Sequence, residues 1–210
     1  MSKVAILFGL GPRIGQAVVN KFLREGYKVA TVSRAQKTSE DSNSFHVMAD
    51  LADPSSVEPV FKRVQERWGS PSVVIYNAAA YTPTPINPLS ATVAELNKDL
   101  NINTVSAYAA ASIGYSLNKE VTFLYTGNGL NSMVILPLTT AGVGKSGTAH
   151  WIQAAAKADH LRPATFYYVD QRHLDGTVAG GDVDGEAHAE EFLKLVNQKE
   201  QGDPIHVFRA

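Results

Sequence analysis

The chain has 210 residues, of which 44% are apolar and 19% are charged, with 19 Lys and Arg against 20 Asp and Glu. This length and composition predict one folded domain over residues 1–210 and exclude a disordered chain, and the balanced charge argues against a nucleic-acid or membrane-surface partner. The absence of cysteine excludes disulfides and thiolate metal sites and favours a reducing compartment, so we expect a cytoplasmic protein.

Short β-branched runs alternate with amphipathic segments along the chain. The apolar runs predict strands over residues 3–9, 27–33, 44–50, 72–78, 121–127 and 164–170, with an edge strand over 204–210. The periodic segments predict helices over residues 13–26, 54–69, 92–118, 141–159 and 185–201. Because strands and helices alternate, we expect an α/β fold: a single Rossmann-type, doubly wound parallel sheet with helices on both faces.

A glycine-rich turn, FGLGPRIG at residues 8–15, joins the first predicted strand to the first predicted helix. Its glycines Gly9, Gly11 and Gly15 let the backbone turn tightly and approach a pyrophosphate, whose charge the following helix N-terminus favours. A Rossmann fold binds the phosphates of a dinucleotide at this place. A glycine-rich turn with no ligand is the alternative interpretation.

The end of the second predicted strand, VSRAQK, carries Ser33 and Arg34. In dinucleotide-binding folds, an acidic side chain near this place binds the ribose 2′-hydroxyl, whereas an arginine accommodates a 2′-phosphate. The hydroxyl and the guanidinium therefore favour NADP(H) over NAD(H). Arg13, inside the glycine-rich turn, is a candidate second cation. The alternative is that both arginines are solvated surface charges.

The stretch TTAGVGKSG at residues 139–147 is close to the P-loop pattern G-x-x-x-x-G-K-[ST]. Thr139 stands where that pattern has its first glycine, and no predicted strand leads directly into the stretch. We therefore expect Lys145 to serve a purpose other than binding a triphosphate.

Several stretches together resemble the short-chain dehydrogenase/reductase family over nearly the whole chain. Residues 9–15 resemble its G-x-x-x-G-x-G turn, with Arg13 in place of the middle glycine. ADL at 49–51 is similar to its adenine-contacting acidic and apolar pair, YNAAA at 76–80 to its N-N-A-G stretch, and NTVSAY at 103–108 to its helix asparagine. The cofactor-binding residues that the turn, the strand ends and the resemblance imply are Gly9, Leu10, Gly11, Arg13, Ile14, Gly15, Ser33, Arg34, Asp50, Leu51, Asn77, Ala78, Ala79 and Lys145.

The family transfers hydride with a Y-x-x-x-K pair on one helix and a serine after the fifth strand. In AGVGK, residues 141–145, Ala141 stands at the tyrosine position, and Gly127 stands at the serine position. The resemblance leaves Lys145 and Asn103 as catalytic candidates, and Thr126 as a possible partner of a substrate carbonyl together with Asn128. The candidates for a substitute proton donor are Tyr125, Tyr81 and His173.

Two functions fit these patterns. The first is an NADP(H)-dependent oxidoreductase that acts on a small carbonyl or alcohol with a non-standard proton donor. The second is a non-catalytic dinucleotide-binding sensor or scaffold. The partner expected in either case is a small molecule, and the six histidines lack metal-ligand spacing, so we expect no metal. The resemblance also implies a homodimer that pairs through the helices predicted at 92–118 and 141–159.

Overall fold

In a computed structural model of the chain, residues 3–35, 41–198 and 200–210 are described. Their strands form one seven-stranded sheet in the order β3-β2-β1-β4-β5-β6-β7, and every neighbouring pair is parallel. The strands are β1 (Val4–Phe8), β2 (Lys28–Ser33), β3 (Ser44–Met48), β4 (Val73–Tyr76), β5 (Thr122–Thr126), β6 (Thr165–Arg172) and β7 (Ile205–Arg209). The strand order reverses between β1 and β4, which opens a crevice at their carboxyl ends.

Helices cover both faces of the sheet, so the predicted doubly wound α/β fold is confirmed. The helices are α1 (Ile14–Arg24), α2 (Val57–Trp68), α3 (Val93–Leu100), α4 (Ser106–Leu117), α5 (Thr139–Lys157) and α6 (Gly185–Val196). Helices α2, α4 and α5 bury one apolar layer against the sheet, and α1 and α6 bury the other. Within the described ranges, no helix is both long enough and apolar enough to cross a membrane.

Coverage of both faces explains why the strands read as continuous apolar runs. Every residue of β1 and β4 is buried, so neither strand shows the alternation of a half-exposed sheet. Most element boundaries lie within two residues of their predicted positions. Strand β6 extends two residues past the predicted end, to Arg172, because β7 continues to pair with it at the sheet edge. The last helix is shorter than predicted and ends at Val196.

The helix predicted over residues 92–118 contains an internal irregularity. It begins with a capping box between Thr92 and Glu95 and passes through a π-helical turn, Asn101–Val105, that connects α3 to α4. The carbonyl of Asn103, inside this turn, accepts hydrogen bonds from the hydroxyls of Tyr125 and Thr148, both at 2.9 Å. Such turns are frequent at functional sites, and this one lies beside the crevice.

Candidate active site

The glycine-rich turn is fixed to the end of β4 by direct contacts. Gly9 has a φ of +97°, and a Cβ there would lie 2.4 Å from the Ala78 backbone nitrogen. The Asn77 side chain donates a hydrogen bond from Nδ2 to the Gly9 carbonyl at 2.8 Å. Only glycine fits position 9, because both its backbone conformation and its neighbours exclude a side chain.

The other two glycines of the turn differ in what surrounds them. A Cβ at Gly15 would lie 3.0 Å from the Gly9 carbonyl oxygen, so Gly15 permits close packing of α1 on the turn. A Cβ at Gly11 would meet no atom within 4 Å. Helix α1 begins without a side-chain cap at Arg13. Open space next to uncapped helix amides is an environment that fits a phosphate group.

A cavity of about 410 Å³ extends from this turn across the carboxyl ends of β1 to β4. We call it the glycine-turn cavity. Ten of the predicted cofactor-binding residues line it: Gly9, Leu10, Gly11, Ser33, Arg34, Asp50, Leu51, Asn77, Ala78 and Ala79. Asp99, at the end of α3, also lines this cavity. It is 3% exposed, and its Oδ2 has no hydrogen-bond partner among the described residues. No sequence motif points to Asp99.

At the β2 end of this cavity, Ser33 is hydrogen-bonded to other described residues, whereas Arg34 is not. The Ser33 hydroxyl donates to the Ala35 carbonyl at 3.0 Å and lies 3.1 Å from His46 Nε2. Arg34 is exposed, and no hydrogen bond or ion pair joins it to another part of the chain that the structure describes. The guanidinium is therefore available to an anion, whereas the serine proton is already used within the chain.

A second cavity of about 310 Å³, here called the lysine cavity, lies over the carboxyl ends of β5 and β6. Its polar lining includes Thr126, Asn128, Lys145 and Asp170, and its apolar lining includes Leu130, Ile135, Leu138, Val178 and Val183. Asn77 and Ala79 line both cavities, so the two adjoin. The glycine-rich turn and Lys145 thus belong to one continuous crevice.

Lys145 lies in the second turn of α5, which begins at Thr139. The whole of TTAGVGKSG is therefore helical, and a P-loop is excluded. The Lys145 Nζ donates to the Thr126 carbonyl at 2.8 Å and lies 4.3 Å from the centre of the Tyr125 ring. The side chain is almost fully buried, and this burial lowers the pKa of its ammonium group to about 7, although the nearby Asp170 opposes the shift.

Asp170 is a site residue that the sequence analysis missed. It is 1% exposed, and its Oδ2 accepts a hydrogen bond from Arg172 Nε at 2.8 Å and forms an ion pair with Arg172 Nη2 at 2.6 Å. Its Oδ1 has no hydrogen-bond partner within the described ranges. Burial raises the pKa of the Asp170 carboxyl, and the Arg172 guanidinium opposes that rise. The available signal was an acidic residue inside the apolar run TFYYVDQR, where an unpaired charge would be costly.

The position of the family's serine is filled by another side chain. A Cβ on Gly127 would lie 2.1 Å from Cε1 of Tyr168, on the neighbouring strand β6. The Tyr168 hydroxyl donates to the backbone carbonyl of Asn128 at 2.7 Å and accepts from the backbone N–H of the same residue at 3.1 Å. The Tyr168 ring therefore occupies the space that a serine side chain at position 127 would need. At the position of the family's tyrosine, α5 carries a buried alanine, Ala141.

Three buried tyrosines near the site have their hydroxyls bonded inside the core. The rings of Tyr76, Tyr125 and Tyr168 stack across β4, β5 and β6. The hydroxyls of Tyr76 and Tyr125 donate to the carbonyls of Ile102 and Asn103, at 2.6 Å and 2.9 Å. Burial raises the pKa of all three phenols. Each hydroxyl is thus used inside the core, and none of these three residues lines the lysine cavity.

The other two candidate proton donors, Tyr81 and His173, lie outside the lysine cavity. Tyr81 lines the glycine-turn cavity, and His173 is about 39% exposed, 3.8 Å from Asp182. Neither belongs to the lining of the lysine cavity. The structure therefore brings none of Tyr125, Tyr81 and His173 to the cavity that contains Lys145.

Three predicted site residues take positions that the sequence did not specify. Asn103 lines neither cavity. Its side-chain amide is hydrogen-bonded to the backbone of Ala80: Nδ2 donates to the carbonyl at 2.6 Å, and Oδ1 accepts from the N–H at 3.1 Å. Arg13 and Ile14 line the lysine cavity, and the Arg13 guanidinium donates to the Gly181 carbonyl. Arg13 therefore lies away from the cavity that Arg34 lines.

Across the described ranges, no group of three or more potential metal ligands occurs.

Comparisons with known sequences identify relatives of this chain. Residues 12–159 match a family model described as enoyl-(acyl carrier protein) reductase. A short chain dehydrogenase/reductase of Cryptosporiopsis sp., dmxR12, is 37% identical and aligns over 99% of this chain and 92% of its own.

Solved structures show the same fold. An alcohol dehydrogenase from Thermococcus sibiricus, complexed with 5-hydroxy-NADP, superimposes with a TM-score of 0.80 at 17% identity, covering all of this chain and 96% of the other. An NADH-dependent reductase complexed with NAD superimposes with a TM-score of 0.83 at 13% identity, covering all of this chain and 95% of the other. With a family model matched over most of its length and a 37% identical relative over nearly all of it, the chain belongs to the short-chain dehydrogenase/reductase family of oxidoreductases.

Proposed function

We propose that this chain is an NADP(H)-dependent oxidoreductase that interconverts a small carbonyl compound and its alcohol. The observation that carries the proposal is the continuous crevice in which the glycine-turn cavity adjoins the lysine cavity. Two adjoining cavities suit an extended dinucleotide, with phosphates at the glycine-rich turn and a reactive ring near Lys145. When bound, a nicotinamide cofactor would supply the hydride in one direction and accept it in the other.

The residues of the crevice fit such a cofactor. The open space at Gly11 and the uncapped start of α1 suit a pyrophosphate. Asp50 and Leu51 line the part of the cavity where, by family resemblance, the adenine would lie. Lys145 has three N–H donors, and among the described residues only the Thr126 carbonyl accepts from one of them, so the others are available to the nicotinamide ribose.

The lining of the lysine cavity supports this substrate class. Its volume of about 310 Å³, part of which the nicotinamide would occupy, and its mainly aliphatic walls suit a small, largely apolar molecule. The buried Thr126 hydroxyl has no hydrogen-bond partner among the described residues, and Asn128 lies beside it in the lining. These groups are suited to contact a polar atom of the substrate, such as a carbonyl oxygen.

The proposal is tested by following NADPH oxidation by the purified protein with a panel of small aldehydes, ketones and quinones. We expect measurable but slow turnover, because a positioned general acid is typically worth about 10²–10⁴-fold in rate and the usual tyrosine is absent. NADPH binding without hydride transfer to any member of the panel would instead support the non-catalytic sensor or scaffold.

Cofactor preference depends on Arg34. We expect NADPH to bind more tightly than NADH, and Arg34→Ala to remove about 1.5–3 kcal/mol of that preference, the range for a hydrogen bond to a charged group. Isothermal titration calorimetry with both cofactors measures this difference. Arg24→Ala, on the exposed end of α1, is a matched control that removes a surface arginine outside both cavities. Equal affinities of the wild-type protein for NADPH and NADH would contradict the assignment.

We also propose that two copies of the chain pair through α4 and α5. Helix α4, SAYAAASIGYSL, is rich in small and apolar residues. The groove between α4 and α5 is lined mainly by apolar and aromatic side chains, and at its edge Tyr108 is 57% exposed and packs edge-on against Trp151. An aromatic side chain next to small residues on adjacent helices suits the self-complementary surface of a two-fold dimer.

Light scattering tests this pairing directly. The protein at micromolar concentration is expected to have a mass about twice the 22.6 kDa of one chain. Tyr108→Arg should shift the mass towards the monomer without loss of fold, because the Tyr108 side chain is largely exposed. Tyr81→Arg is the matched control, since that tyrosine is similarly exposed at 55% and lies outside the groove. A wild-type mass near 23 kDa would refute the dimer.

A further inference from the structure

The lysine cavity restricts which group can deliver a proton to a substrate. Among the described residues that line it, the titratable side chains are Arg13, Lys145 and Asp170. An arginine does not release its proton in a protein. The tyrosine position of the family is Ala141, and the stacked tyrosines of the core have their hydroxyls bonded to backbone carbonyls. Lys145 and Asp170 are therefore the available proton carriers.

Of these two groups, Lys145 is the better donor. The free oxygen of Asp170 is shielded from solvent by the surrounding chain, and its other oxygen is held by Arg172. Burial raises the pKa of the Asp170 carboxyl, but contact with the Arg172 guanidinium opposes that rise and favours the ionised form. Lys145 has three N–H groups, of which one is bonded to the Thr126 carbonyl. Its ammonium therefore retains protons that can be donated.

We propose that the Lys145 ammonium itself delivers the proton to the substrate carbonyl oxygen, and that Asp170 is a positioning residue that keeps this proton on Lys145. This inference rests on the proposed oxidoreductase function. In reduction, the carbonyl carbon gains a hydride from the reduced nicotinamide and the carbonyl oxygen takes a proton from Nζ, which leaves a neutral amine. In alcohol oxidation, the neutral amine takes the hydroxyl proton while the hydride leaves the carbon.

The charged and titratable groups around Lys145 set its proton affinity. Tyr125 from β5 lies against its Nζ, Asp170 from β6 interacts with its charge, Arg172 from β6 forms an ion pair with Asp170, and Arg13 lines the same cavity. Burial lowers the pKa of Lys145 to about 7, and the charge of Asp170 raises it. A group with a pKa near the working pH is suited to both donate and accept a proton. Carbonyl reduction needs the protonated lysine, so its rate should fall as the pH rises through about 7.

The discriminating variant is Lys145→Arg, which retains a cation but cannot release a proton near neutral pH. If Lys145 only holds the cofactor by its charge, the arginine should support most of the activity. If Lys145 is the acid, we expect carbonyl reduction to fall by at least about 100-fold, while NADPH affinity, measured by fluorescence titration, changes much less. An active Lys145→Arg enzyme would overturn this inference and leave the proposed function intact.

Asp170→Asn provides a second test, in which Lys145 is unchanged. Without the carboxylate charge, the reduction activity should begin to fall at a lower pH than it does in the wild-type protein. Without any substrate, NMR of protein labelled at lysine Cε, assigned with Lys145→Arg, should show Lys145 titrating near 7 in the wild-type protein and lower in Asp170→Asn. A Lys145 resonance that titrates with the other lysines, near 10, would overturn the inference. Wild-type protein that binds NADPH and reduces no carbonyl would overturn both this inference and the proposed function.

Discussion

Gly9→Ala is expected to lose about 3–5 kcal/mol of unfolding free energy and to abolish NADPH binding. The added methyl group would lie 2.4 Å from the Ala78 backbone nitrogen, in a residue whose φ of +97° already disfavours a side chain. Backbone strain and overpacking each cost about 1–3 kcal/mol, and a backbone atom cannot move aside as a flexible side chain does. Urea denaturation followed by circular dichroism measures the loss.

Gly11→Ala is the matched control in the same turn. Its added methyl group would meet no atom within 4 Å, so stability should change by less than about 0.5 kcal/mol. If the open space at Gly11 accommodates the pyrophosphate, NADPH affinity should nevertheless fall by about tenfold or more, the equivalent of roughly 1.4 kcal/mol. A Gly11→Ala protein that binds NADPH as tightly as the wild type would contradict the placement of the phosphates.

Gly127→Ser, which restores the serine of the family, is expected to destabilise the fold instead of improving catalysis. Its Cβ would lie 2.1 Å from the ring of Tyr168, which is fully buried and stacked on Tyr125. Displacing that ring also breaks the two hydrogen bonds between its hydroxyl and Asn128. We expect a loss of about 2–4 kcal/mol in unfolding free energy.

A double-mutant cycle isolates this clash. Tyr168→Ala alone should cost about 3–5 kcal/mol through the cavity it leaves. In that background, however, Gly127→Ser should add little, so the two substitutions should be coupled by at least about 2 kcal/mol. Additive effects would show that Tyr168 is not what excludes a serine from position 127.

The fold could be predicted because its signal is local. The buried strands of this α/β sheet are apolar along their whole length, and the glycine-rich turn indicates where the first helix begins. Lys145 was also predicted, through its spacing from the position of the family's tyrosine. The side chains that define its environment come from distant parts of the sequence. Asp170 reaches Lys145 from the neighbouring strand β6, and Tyr168 fills the space at Gly127 from 41 residues away.

Hydrogen-bond partners were the least predictable feature of the site. Ser33 was expected to bind a phosphate, yet its proton is donated to Ala35, two residues along the chain. Asn103 was expected to be catalytic, yet its amide fixes the backbone of Ala80. Residue type indicates which bonds a side chain can form, but the choice among partners depends on tertiary contacts that a single sequence does not encode in any short pattern.

The most direct test of this account is a crystal structure of the protein with NADP⁺ bound. We expect the pyrophosphate to lie over Gly11 at the start of α1, the 2′-phosphate to contact Arg34, and the nicotinamide to lie in the lysine cavity. We further expect Lys145 Nζ to be the titratable group nearest to the nicotinamide C4, within about 4–6 Å, with room for a substrate oxygen beside it. A nicotinamide bound outside the lysine cavity, or a tyrosine hydroxyl closer to C4 than Lys145, would contradict these expectations.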